Sequence, residues 1–288
     1  MNAVRRGRIA LVAGGTRGIG LALVSALADH WSDVDTVYLT ARRAGDAERA
    51  LSHIGRRNAR IDWLPLDLAE ADGPARIAAT LADRHGGIDV AIMNGAFAPT
   101  HDAPPERDAR IMIETNNHGA LRFLRAMVPI LRENGRLAVT ASGFGLLKNM
   151  PDNLKPLFDT RVRSVDEIDA TMDDYVAAAE AGRLAAEGWP AWINIPSKVG
   201  QVAVTRAFAK AYRQSSDARD GVLINAVCPG LTLTDATVGL MDNVFKGRAA
   251  QTPEEAASHL LWLLTLPAQT KEPFGELVQQ RRILPFGD

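Results

Sequence analysis

Short apolar or β-branched runs recur along the chain at Ile9 to Ala13, Thr36 to Thr40, Ile61 to Leu66, Val90 to Met93, Arg136 to Thr140 and Val222 to Val227. Runs of this length with no polar face are the pattern of strands buried on both sides. Stretches with helical spacing, Leu21 to Leu27 and Ala75 to Arg84 among them, lie between the runs. Strand, helix, strand repeated in this way predicts an α/β chain whose parallel sheet carries helices on both faces. One segment breaks the rhythm. From Lys148 to Pro190 no strand pattern occurs, and Val165 to Ala186 reads as helix, with Ser164 as its N-cap ahead of Asp166 and Glu167. Residues 148–190 are therefore expected to be a helical insertion, a lid or flap, within one domain spanning residues 1–288.

Composition narrows the classes. A formal charge of -1 and 47% hydrophobic residues describe a globule with no basic stripe for a nucleic acid, so a small molecule is the expected partner. Cys228 is the lone cysteine, which excludes an intramolecular disulfide and suits a reducing cytoplasm. His30, His53, His85, His101, His118 and His259 are scattered, without the spacing of a metal site. Arg5, Arg6 and Arg8 before Ile9 to Ala13 imitate a signal peptide, but the apolar run stops and glycines follow. The other apolar runs fall short of the roughly 20 residues of a membrane span. A cytoplasmic location and no membrane partner are expected.

The glycines carry the first chemistry. Gly14, Gly15, Thr16, Arg17, Gly18, Ile19 and Gly20 follow the first strand and open a helix. Glycine here permits a tight turn and close approach of backbone to a pyrophosphate seated on the helix N-terminus. A Rossmann-type doubly wound sheet binding a dinucleotide is the expectation. An enzyme selective for NAD places an acid after the second strand to hold the ribose hydroxyls. This chain has Thr40, Ala41, Arg42 and Arg43 there, so Arg42, with Arg43 and Arg17, is expected to meet the 2′-phosphate of NADP.

With those residues in place the chain resembles the short-chain dehydrogenase/reductase family, and specifically its monomeric carbonyl reductase branch, over nearly its whole length. Ala13 to Gly20 resembles the family's cofactor loop, with alanine where threonine is usual. Asp67 matches the aspartate that contacts adenine. Met93, Asn94, Gly95 and Ala96 stand where the family has Asn-Asn-Ala-Gly and retain only the second asparagine. Asn116, after Thr115, matches the helix asparagine of the catalytic tetrad, and Ser142 matches its serine. Pro229, Gly230, Thr232 and Thr234, before Asp235, fall in the loop that closes over the nicotinamide. Glu187 to Pro190 and the insertion before it are similar to the carbonyl reductase branch. The resemblance implies NADPH as cofactor, Lys198 as both a catalytic and a ribose-binding residue, and a monomer, because in that branch the insertion covers a helix face that other members use to dimerise.

Asn194 is the departure. The resemblance implies a tyrosine here that donates a proton to the substrate oxygen, with its pKa lowered by the lysine four residues later. None of Tyr38, Tyr175 and Tyr212 has a lysine at that spacing. Asparagine cannot titrate, although its amide can donate a hydrogen bond, as can Ser142. A positioned general acid supplies about 10² to 10⁴ in rate, so efficient reduction of simple ketones is not expected. An iminium ion, a quinone or conjugated enone, or a substrate with its own acid needs less help. As a structural residue Asn194 is a good N-cap for the following helix, with Pro196 in its first turn, and capping is compatible with altered chemistry.

Other side chains are candidates for a replacement acid. His118 lies about 200° around a helix from Asn116 and so is expected to face elsewhere. Tyr175 and Asp174 sit in the insertion, where they can swing over the pocket, and Tyr38 belongs to the core. Three functions stay open: an NADPH-dependent reductase of a small carbonyl, quinone or imine-like molecule; a non-redox cyclase, isomerase or dehydratase using Ser142, Asn194 and Lys198 as hydrogen-bonding groups; and a catalytically silent NADPH-binding protein. A laboratory Tyr-to-Asn variant of a carbonyl reductase accounts for the same residue.

Overall fold

The computed structural model describes residues 6–99, 104–242 and 244–287, so His101 and Arg5 lie outside the described residues. The first half alternates strictly: β1 (Ile9–Ala13), α1 (Gly18–His30), β2 (Thr36–Ala41), α2 (Ala44–Ile54), β3 (Arg60–Pro65), α3 (Gly73–His85) and β4 (Ile88–Met93). Each of these strands overlaps an apolar run of the sequence. In β1, Ile9, Leu11 and Ala13 join one core and Ala10 and Val12 the other, so the two-residue period of a strand fills both faces of the sheet.

A long helical stretch follows as α4 (Pro105–Ile113), a π turn (Glu114–His118) and α5 (Gly119–Met127). Then come β5 (Leu131–Thr140), α6 (Val165–Glu180), α7 (Asn194–Gln214), β6 (Leu223–Val227), α8 (Asp235–Val238), α9 (Pro253–Leu264), β7 (Leu277–Gln279) and β8 (Arg282–Leu284). The eight strands form one sheet in the order β3-β2-β1-β4-β5-β6-β7-β8. All neighbours are parallel except β7 and β8. The strand order reverses between β1 and β4, and the crevice at the carboxyl ends of such a pair is where an open α/β sheet takes its ligand.

The insertion differs from its expectation in two ways. Its helix starts at Val165 as expected, closed by a capping box in which Ser164 Oγ accepts from Glu167 N at 3.2 Å and Glu167 Oε2 accepts from Ser164 N at 2.8 Å. It ends at Glu180 rather than Ala186, and the chain then turns through Leu184 to Trp189. The helix does not hang over the cleft as a swinging flap. Ile168, Met172, Tyr175 and Val176 are buried against the α4, α5 and α7 layer. Tyr175 is wholly buried, packed edge-on to Trp189 at 5.0 Å, and its hydroxyl has no hydrogen-bond partner among the described residues. Burial raises its pKa above the ordinary phenol range, so it is no accessible proton donor. Asp174 is exposed. Tyr38 is buried in β2 as expected. No helix among the described residues is long and apolar enough to cross a membrane.

Candidate active site

The glycine turn is shaped by contacts that leave no room for a side chain. Gly14 has φ +80, and a Cβ on it would lie 2.4 Å from the Cα of Gly95, just beyond β4. One on Gly20 would lie 2.0 Å from the carbonyl oxygen of Gly14. The turn folds tightly at the mouth of the β1/β4 crevice, and α1 begins there with no side chain capping it and no acid in its first turn. A helix start of this kind, with no capping side chain and no acid, is the arrangement that suits an anion.

Asn94 ties this turn to the sheet. Its N–H and that of Gly95 both donate to Ala13 O at 2.8 Å, its Nδ2 donates to Gly14 O at 3.3 Å, and Thr140 Oγ1 donates to its Oδ1 at 3.4 Å. Arg42 and Arg43 are exposed at the end of β2, and Thr40 Oγ1 accepts from Gly14 N at 3.1 Å. Asp67, beyond β3, accepts from Ala69 N at 3.0 Å through one carboxylate oxygen. Thr16 and Ile19 are half-buried, Ile19 packing on the core beneath α1.

The loop after β6 closes on the same place. Arg17 pairs with Asp235 at 3.5 Å, which brings the first turn of α8 beside the glycine turn. Thr232 Oγ1 donates to Gly230 O at 3.1 Å, Gln251 Nε2 donates to Pro229 O and to Thr232 Oγ1, and Thr234 N donates to Thr237 Oγ1 at 3.0 Å. Pro229, Gly230, Thr232 and Thr234 are thus held in a braced loop.

The second group lies at the ends of β4, β5 and β6. Ser142 follows β5 and accepts from Phe144 N at 3.2 Å, opening a short helical turn. That turn rests directly on α7, since a Cβ on Gly145 would lie 2.7 Å from Lys198 O. Asn194 and Lys198 are one turn apart on α7 and so share a face. Asn194 does not act as the helix cap: Ile193 occupies that position with no capping side chain, and Asn194 is the first residue inside, half-buried. Pro196 still sits in the opening turn, where its missing N–H removes no helical bond.

Asn116 is buried in the π turn and spends its side chain on Phe97, donating through Nδ2 at 2.9 Å and accepting through Oδ1 at 2.8 Å. Its backbone carbonyl accepts from Gln201 Nε2 at 2.8 Å, and Gln201 Oε1 accepts from Lys198 Nζ at 2.7 Å. Burial pushes Lys198 down to about 8, opposed only weakly by nearby Cys228, whose own thiol burial pushes up. Lys198 is thus joined through Gln201 to the Asn116 carbonyl, and the turn that Ser142 opens packs on the Lys198 backbone. His118 turns away from these residues, as its helical angle predicts, to hydrogen-bond Asp169 and Asp173 on α6.

Sequence reasoning missed Gln201 and an aromatic cluster. Gln201 carried a readable signal, a polar residue one turn past Lys198 among Val199, Val202 and Ala203. The cluster comprises Phe144, two residues after Ser142, with Trp192 edge-on at 5.0 Å and Phe245 at 6.1 Å. Trp192 lies two residues before Asn194, but only folding unites the three rings.

Residues 8–152 match the short chain dehydrogenase family. The chain belongs to that family. Among proteins similar to this short chain dehydrogenase, carbonyl reductase (NADPH) 1 of Rattus norvegicus is 28% identical over 285 residues, covering 96% of this chain and 98% of that protein. The same-named protein of Homo sapiens is 28% identical over 281 residues, covering 96% and 97%. Two solved structures share the fold: salutaridine reductase from Papaver somniferum, with TM-score 0.77 at 20% identity over 94% of this chain and 99% of that one, and a short chain dehydrogenase from Burkholderia cenocepacia in complex with NADP, with TM-score 0.67 at 20% identity over 96% and 97%.

Proposed function

We propose that this protein is an NADPH-dependent reductase of a small carbonyl, quinone or imine-like molecule, and that its better substrates are those needing no strong acid from the enzyme. The observation that carries this reading is Lys198, bridged by Gln201 to the Asn116 carbonyl and one turn along α7 from Asn194, the position where a proton donor would stand. The similarity to carbonyl reductases that bear NADPH in their name supports the cofactor and the substrate class.

The uncapped start of α1 and the side-chain-free turn of Gly14, Gly18 and Gly20 fit a pyrophosphate. Thr16 and Ile19 complete that turn. Arg42, with Arg17 and Arg43, would take the 2′-phosphate, Asp67 the adenine and Lys198 the ribose. Asn94, Pro229, Gly230, Thr232 and Thr234 would line the nicotinamide end. NADPH bound there supplies the hydride. Ser142 and Asn194 orient the substrate oxygen by hydrogen bonds, and Asn194 has no proton to give up. An iminium ion needs none, and a quinone or enone leaves a stabilised anion.

Residues 148–190 cover the helical layer of α4, α5 and α7, which supports a monomer; light scattering at micromolar concentration tests it. A non-redox reaction is the second reading, favoured by the absence of a titratable group at position 194. A panel of simple ketones, quinones and cyclic iminium ions, followed by both product and NADPH absorbance, decides. Product with NADPH consumption supports the reductase, product without it the second reading, and binding of NADPH with no turnover of any member refutes both.

A further inference from the structure

Lys198 and Asn116 were expected to belong to one site, yet they do not touch through their side chains. Asn116 has spent its amide on the backbone of Phe97. The link is Gln201, 1% exposed on α7, whose Oε1 accepts from Lys198 Nζ at 2.7 Å while its Nε2 donates to Asn116 O at 2.8 Å. The two ends of the amide meet opposite partners. A flipped amide would set N–H₂ against an ammonium and oxygen against a carbonyl, so the network fixes the orientation. Asn116 itself is immobilised in a locally widened π turn, further braced to α7 by Ser197 Oγ donating to Asn117 Oδ1 at 2.8 Å.

We propose that Gln201 is a positioning residue of this site: its amide clamps the Lys198 ammonium to the backbone of Asn116 and thereby sets both where the lysine charge sits and how readily it is given up. The inference rests on the reductase reading only for what Lys198 does to NADPH; the clamp itself does not require it. The surroundings leave Gln201 as the adjustable partner. Just past β6 the Cys228 thiol is the ionisable group that Lys198 senses among the described residues, while Asn116 from the π turn, Ser142 from the turn after β5, and Asn194 on α7 are neutral. A half-buried ammonium with few partners is costly, so a change at its acceptor is felt directly in its protonation.

The test reads Lys198 itself. The chain has six lysines, Lys148, Lys155, Lys198, Lys210, Lys246 and Lys271, few enough for each Cε signal to be followed against pH in protein carrying 13C-labelled lysine. Lys198→Arg assigns the signal. Gln201→Glu, which offers an anionic acceptor, is expected to raise the proton affinity of Lys198 by about tenfold or more, one pKa unit. Gln201→Met, of similar length and with no acceptor of comparable strength, is expected to lower it and to weaken NADPH binding measured by cofactor fluorescence at pH 7. If Gln201→Met does not fold, Gln201→Glu alone decides. Lys198 midpoints that stay at the wild-type value in the folded variants overturn the proposal, whatever happens to their melting temperatures. Midpoints that move in a protein that turns over no carbonyl, quinone or iminium substrate leave the clamp standing and remove the reductase reading; turnover with unmoved midpoints does the reverse.

Discussion

His118 Nδ1 lies 2.9 Å from Asp169 Oδ1, and its Nε2 lies 3.1 Å from Asp173 Oδ1, so one imidazole pins the inserted helix α6 to the π turn that carries Asn116. The hydrogen bond to Asp169, aided by the charges of Asp169, Asp173 and Glu114, raises the His118 pKa despite partial burial. A pKa raised in the folded state adds stability that is fully present below the unfolded value of about 6.5 and is lost as pH rises through the folded value. His118→Gln is therefore expected to destabilise by about 1.5 to 3 kcal/mol near pH 6, the range for hydrogen bonds to charged groups, and by much less near pH 9. Urea unfolding of both proteins at the two pH values checks it. A loss independent of pH would place the effect in packing and not in charge.

Two glycines near helix starts should respond oppositely to alanine. At Gly20 the added Cβ would lie 2.0 Å from Gly14 O and 2.8 Å from Asn94 Nδ2, so the cofactor turn must shift. Gly20→Ala should cost about 1 to 3 kcal/mol of stability and weaken NADPH binding. At Gly45, in the first turn of α2, the nearest atom is Arg49 Nη1 at 3.6 Å, the movable end of a side chain. Gly45→Ala should be neutral or stabilising by up to about 1 kcal/mol through helix propensity. Thermal melts with and without NADPH compare the two.

Arg42 is exposed at the end of β2, free to close on a phosphate, whereas Arg17 already shares its charge with Asp235 at 3.5 Å. NADPH should bind at least about tenfold more tightly than NADH, roughly 1.4 kcal/mol, and Arg42→Ala should remove most of that preference. Dissociation constants for both cofactors in both proteins are the measurement. Equal affinities in the wild type would sink the argument.

On the reductase reading, Asn194→Tyr should raise NADPH-dependent reduction of activated ketones by about 10² to 10⁴, the contribution of a positioned general acid, because the new phenol would stand one helical turn from Lys198. Lys198→Ala beside it should abolish the gain. Tyr175→Phe is the control for a rival donor: its hydroxyl is buried without a partner among the described residues, so removal should leave activity unchanged and stability equal or higher by about 1 kcal/mol. If Asn194→Tyr binds NADPH normally and gains nothing on any ketone, the non-redox reading becomes the better one.

Six strands, the glycine turn after β1 and the N-cap at Ser164 were legible in the amino-acid order because each is a local pattern: an apolar run buried on two faces, a glycine run between strand and helix, a serine just ahead of acidic residues that open a helix. The set of Ser142, Asn116 and Lys198 came from resemblance to a family and not from a local pattern. What escaped depends on distant partners. β7 and β8 are three residues each, too short for a period, and exist because β6 offers an open edge. Asn194 has the chemistry of a cap, but the path of the chain from Trp189 into α7 puts Ile193 there instead. Tyr175 looked free to swing until packing against Trp189 buried it. Gln201 stands one turn past Lys198 in the chain, but only the docking of the π turn on α7 brings the Asn116 carbonyl to its amide and turns an ordinary polar residue into a bridge.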